Sequence, residues 1–204
     1  NLSLQLYGIF LKTGYVRSAE ESNKVSTYFN DHLPDYRMEE MGFREKLWLF
    51  KAYLWYSFLL QDFLNCYKYS LKWVNLFNQH PSMINLNPVF YLKGNNYLLE
   101  SLFLIRNSDK FKEHFEKFEV IIQKDSFPKD ENVHALSFLY LSTNRINLCF
   151  MEGSFDEGLL LIPTIETKFK EYQSRIDEHH IMSFYYKFAC MHFGAGQNEA
   201  CIAY

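Results

Sequence analysis

A turn that recurs along the chain constrains the fold more than any single residue. At Gly153, Phe155 and Gly158, a helix-breaking glycine is followed two positions on by an aromatic residue and three later by a small one, as a new helix opens. Related patterns stand at Gln61, Phe63 and Cys66, at Asp109, Phe111 and His114, and at Gly196, Asn198 and Cys201. One supersecondary unit that returns at intervals cannot bury its apolar face alone, so the units must stack on their neighbours.

Between these turns the apolar residues follow a helical period, and strand-like alternation is not sustained over more than four residues. The pattern predicts an all-α chain of ten helices, over 2–12, 16–32, 38–60, 63–79, 88–106, 109–124, 131–152, 155–173, 177–194 and 197 to the end. Pro34, Pro81, Pro88 and Pro128 fall between these spans, where a missing backbone donor does no harm. Pro163 falls inside one and predicts a kink or a break. Pairing the helices gives five antiparallel hairpins in a single domain, 1–204. The small inward positions Ala19, Cys66, His114, Gly158 and Cys201 are spaced by 47, 48, 44 and 43 residues, a period of about 45. Because the chain opens at Asn1 without a methionine and ends at Tyr204 inside a helical pattern, it reads as a piece of a longer protein. An incomplete last helix is expected to leave an apolar end on which two copies pair as a homodimer.

Composition narrows the partners. With 21 basic and 24 acidic side chains, a net charge of -3 and no basic stripe, direct nucleic-acid binding is not expected. The lysines 110, 112 and 117 alternate with Glu113, Glu116 and Glu119, the pattern of a solvated helix face. The longest apolar stretch, 47–60, contains Lys51 and is too short to cross a membrane. Cys66, Cys149, Cys190 and Cys201 lie inside helical patterns with no paired spacing, as reduced core thiols of a cytoplasmic protein do.

The recurring turn resembles that of the tetratricopeptide repeat (TPR), in which a glycine ends the first helix, an aromatic residue follows two later and a small residue three after that. Gly153, Phe155 and Gly158 match in order, and Gln61, Phe63 and Cys66 match with the glycine replaced. A unit of about 45 residues exceeds the usual 34, which points to a divergent, TPR-like relative with longer helices. The resemblance implies an α-α superhelix of about five hairpins with a concave groove lined by the first helix of each. Groove positions are then Lys51, Trp55, Asn96, Glu100, Phe103, Tyr140, Asn144, Asn147 and Tyr186. Asn144 and Asn147, three apart, share a helical face, and such amides hold an extended peptide backbone in related receptors, among them bacterial peptide-pheromone receptors. Trp55 is expected on the exposed side of its helix, since span 38–60 is apolar nearly all round.

Chemistry finds little footing. The chain contains no HExxH, phosphate-binding loop, GxGxxG or GxSxG pattern. Asp177, Glu178, His179 and His180 are consecutive, so they point around a helix and read as first-turn capping rather than as metal ligands. His114 and His192 read as hydrogen-bonded structural histidines. Neither a cofactor nor a catalytic residue is expected. The sequence therefore points to a scaffold that binds a protein or peptide segment in its groove. Two alternatives are a peptide-sensing domain of a larger regulator and an enzyme on an α/α scaffold.

Overall fold

The computed structural model describes residues 1–172 and 175–204; the expected end of the eighth helix at 173 lies outside them. Among the described residues there are eleven helices and no strand. They are α1 (Leu2–Thr13), α2 (Ala19–His32), α3 (Phe43–Leu59), α4 (Phe63–Gln79), α5 (Ser82–Leu86), α6 (Pro88–Leu104), α7 (Ser108–Gln123), α8 (Glu131–Glu152), α9 (Phe155–Glu171), α10 (Glu178–Gly194) and α11 (Asn198–Ala203). Two compact units divide them. The first holds Asn1–Asn87 with Lys93–Ile105, the second Pro88–Leu92 with Arg106–Tyr204.

Local chemistry sets the helix ends. Asp62, Asn107, Asp130 and Asp177 each accept the backbone N–H three residues on, satisfying a donor that the first turn leaves open. The same logic corrects two expected starts. Helix α2 opens at Ala19 rather than 16, because Ser18 accepts from the N–H of Glu21 while the Glu21 carboxylate takes the N–H of Arg17 at 2.8 Å. Helix α3 opens at Phe43 rather than 38, because the Glu45 carboxylate reaches back to the N–H of Gly42 at 2.6 Å. The short α5 is additional to the ten expected helices, and it stops at Asn87, whose helical conformation is disfavoured by the following Pro88.

The recurring turn has a single conformational basis. Gln61, Arg106, Gly153 and Gly196 all adopt the left-handed conformation, with φ of 56°, 56°, 72° and 74°. Their spacings are 45, 47 and 43 residues, and each stands two residues before a helix. The N–H groups of Asp62, Ser154 and Gln197 close back onto carbonyls five residues earlier, those of Ser57, Cys149 and His192. That is the Schellman closure of a helix end. The third register therefore lies at Arg106, Ser108 and Phe111, three residues before the expected Asp109, Phe111 and His114. A glycine is not needed for the turn, so two of the four carry ordinary side chains.

Three of these turns join helices that pack on each other, α3 with α4, α8 with α9 and α10 with α11. The expected first hairpin does not follow this rule, for α1 and α2 each pack against α3. Between them the chain is tied to the end of α3, where the Val16 N–H donates to the Leu59 carbonyl at 3.0 Å. Pro163 does not end its helix; α9 continues through it with the proline ring exposed.

Aromatic side chains fill both cores. In the first unit, Trp55 packs at 4.7 Å from Tyr7, 5.5 Å from Phe10 and 5.6 Å from Tyr97. Trp73 is wholly buried, with its indole against Gly94, where a side chain would not fit. In the second unit, Phe111, Phe115 and Phe118 form the buried face of α7. Phe169 meets Phe184 at 5.1 Å, and Met191 covers Gly158.

Candidate functional site

The nine expected groove residues separate by burial. Trp55 is 6% exposed and belongs to the aromatic core, so its expected outward position is corrected. Helix α3 receives neighbours on several sides, α1, α2 and α4, which is why it is apolar nearly all round. Asn144 is 0% exposed, and its Nδ2 donates to the Tyr140 carbonyl at 2.8 Å. Asn147 is buried as well, its Oδ1 accepting from Lys187 Nζ at 2.6 Å. Tyr140 is buried beside them. The two amides share a face as their spacing requires, but that face is turned to the core of the second unit, where they cannot take a peptide backbone.

Lys51, Asn96, Glu100 and Phe103 are half-buried in the first unit. The Lys51 ammonium lies 4.8 Å over the Trp48 ring, and burial, with a smaller contribution from Lys93, holds its pKa below the usual lysine value. Tyr186, in the second unit, is 73% exposed.

A cleft of about 660 Å³ lies wholly in the first unit and opens beside the segment from His32 to Met41. Its remaining walls come from the start of α1 and the first half of α3, including Glu45, Trp48, Leu49 and Ala52. This volume suits a bound side chain or short segment. Sequence periodicity missed it because the span expected to be helical from 38 is loop up to Gly42. The signal was the proline-containing run from Leu33 to Met41, with Tyr36 and Arg37 near its centre.

Several polar groups around the cleft have partners within the first unit. Tyr36 Oη is 2.9 Å from Tyr53 Oη, which fastens the loop to α3. Arg37 pairs with Glu40 at 3.1 Å, and Glu45 is held by its cap. The His32 Nδ1–H donates to the Tyr28 carbonyl at 2.8 Å while its ring stacks on Tyr28. Trp48, Leu49, Met41, Leu33, Pro34 and Leu2 then supply an apolar lining under a charged rim. Such a lining can seat an apolar side chain by burial.

Among the described residues, no three His, Cys, Asp or Glu side chains are placed to hold a metal ion. Asp177 acts as a cap, its Oδ1 taking both the N–H and the ring Nδ1–H of His180. Partial desolvation opposes its ionisation, but these two bonds and the nearby histidines outweigh it and lower the carboxyl pKa. No described helix is long and apolar enough to cross a membrane. Compared with models of known protein families, with curated proteins and with solved structures, the chain matches none.

Proposed function

We propose that the chain is a protein-interaction module that captures a partner segment by seating an apolar side chain in the cleft of the first unit. The observation that carries this reading is the cleft's division of labour: an apolar lining around Trp48, and a charged rim in which Glu45 is held by the α3 cap and Arg37 and Glu40 pair with each other. An interaction site needs buried apolar area at its centre and polar groups at its edge. The left-handed turns at near-regular spacing support a divergent TPR-like stack of hairpins as the scaffold. Four free thiols support a reducing, cytoplasmic setting.

Selection from a random peptide library displayed on phage tests it. Recovered peptides should share an apolar anchor, and Met41→Arg, which puts a charge into the lining, should weaken their binding at least tenfold with the helical circular dichroism unchanged. Peptides that bind Met41→Arg and the parent chain equally would reject the cleft as the site.

A further inference from the structure

Helix α10 is apolar on two opposite sides. Phe184, Phe188 and Met191 face inward and are buried, while Met182, Tyr186 and Phe193 are exposed by 65%, 73% and 70%. At 100° per residue the three exposed side chains fall within about 40° of one another, with the half-exposed Ala189 in the same row. The adjoining sides of α10 are occupied. Tyr204, which follows α11, lies against Tyr185, Phe188 and His192, and Lys187 is drawn toward α8 by Asn147. The row is thus a narrow apolar seam free of charged side chains between Met182 and Phe193.

Its spacing says what covers it. Met182, Tyr186, Ala189 and Phe193 are separated by four, three and four residues, the alternation by which a helix presents one seam to another helix. Four, three, four reads the same in both directions. A second α10 laid antiparallel about a two-fold axis between Tyr186 and Ala189 therefore meets the first in register, with Met182 opposite Phe193 and the large Tyr186 opposite the small Ala189. Large against small at the centre is the complementarity that close helix packing needs, and an isologous contact requires each patch to fit itself.

We propose that the outer face of α10 is a self-association surface, occupied by the same face of a second copy of this chain in antiparallel register. Side chains of about 200 Å² each, roughly 70% exposed, offer on the order of 400 Å² of apolar surface per copy. With Ala189 and the flanking His179, Ser183 and Cys190, the pair covers roughly 1,000 Å², the size of small, weak interfaces. An interface of that size belongs with weak, reversible associations. This surface replaces the last helix as the site of the expected homodimer, and it lies in the second unit, so its test is independent of the cleft.

Sedimentation velocity of the 204-residue chain from about 2 to 200 μM should show a sedimentation coefficient that rises with concentration. Tyr186→Glu should raise the dissociation constant at least tenfold while leaving the circular dichroism spectrum unchanged. Register is read by cross-linking in a background carrying Cys190→Ser and Cys201→Ser. There the double variant Met182→Cys with Phe193→Cys should form a disulfide-linked dimer on mild oxidation, and Met182→Cys alone should not. A concentration-independent monomer, a dimer indifferent to Tyr186→Glu, or Met182→Cys cross-linking alone as well as the double variant would each overturn the proposal.

Discussion

Two glycines on opposite sides of the same physical rule give the sharpest stability prediction. A Cβ built on Gly94 in α6 would lie 2.6 Å from Trp73 Nε1 and 2.7 Å from Cδ1, against a wholly buried, rigid indole. A Cβ on Gly158 in α9 would lie 2.6 Å from Met191 Sδ, near the tip of an unbranched chain with other rotamers to adopt. Both glycines sit in helix interiors, where alanine gains about 1 kcal/mol of helix propensity. Overpacking costs about 1–3 kcal/mol, and an indole that must move by about an ångström in a full core sits at the upper end. Gly94→Ala should therefore lose about 2 kcal/mol net, about 1 M in urea midpoint at an m-value near 2 kcal/mol per M. Gly158→Ala should stay within about 0.5 kcal/mol of the parent, because the thioether gives way. All three tryptophans, Trp48, Trp55 and Trp73, belong to the first unit, so their fluorescence follows the unit that contains Gly94. Far-ultraviolet circular dichroism follows both units, and separate transitions are admissible for a chain with two. Urea titrations read by both signals should show the fluorescence midpoint falling in Gly94→Ala alone. A Gly94→Ala midpoint equal to or above the parent's would refute the claim that a fixed indole, rather than crowding as such, sets the penalty.

Two further outcomes test the burial assignments. Asn147→Ala removes the acceptor of Lys187 Nζ in the second unit, and losing a partly buried hydrogen bond to a charged group costs about 2 kcal/mol. The thermal midpoint followed by circular dichroism should fall by about 4–8 °C, and a shift below about 1 °C would mean that the bond contributes nothing. Burial holds the His114 imidazole below its ordinary pKa, with Glu113 acting in the opposite direction and Lys117 and Lys110 reinforcing the shift. The unfolded chain then binds more protons than the folded one as pH falls below about 6.5, so this group's contribution is favourable above that pH and is lost toward acid. Urea midpoints at pH 7.5 and 5.5 should differ less in His114→Gln than in the parent; an unchanged difference would locate the acid sensitivity elsewhere.

What the sequence could and could not convey follows from what a helical period contains. Periodicity and turn residues placed ten of the helices, most within two residues, because apolar spacing and caps are local properties. They missed α5, whose five residues are too few to display a period. The recurring turn was legible where glycine marked it, at Gly153 and Gly196, and at Gln61, where Phe63 and Cys66 completed the pattern. It was shifted at its third occurrence because Arg106 adopts the left-handed conformation without a residue type that announces it. Loop walls such as Tyr36 to Met41 carry no periodic signal, so the cleft stayed hidden.

Trp55, Tyr140, Asn144 and Asn147 turned out buried for a different reason, and the reason bears on α10. Spacing states which residues share a face, but not which way that face points. Polarity settles the direction only when one side of the helix is clearly apolar. Helix α8 places Asn144 and Asn147 among Val133, Leu139, Ile146 and Cys149, so the polar pair stood out as a surface feature although both amides lie among buried neighbours. Asn144 Nδ2 is bonded inside to the Tyr140 carbonyl and Asn147 Oδ1 to Lys187. Helix α10 poses the converse problem, since two apolar faces leave its inward side undecided, and only the contacts of Phe184, Phe188 and Met191 decide it. Once they do, the remaining seam from Met182 to Phe193 has no structural task within the second unit. A face of a large residue, a larger one, a small one and a large one, in self-complementary spacing, is a contiguous apolar patch of the size that often marks an interaction site. Pairing with its own copy removes that exposure, with each half of the seam supplying what the other lacks.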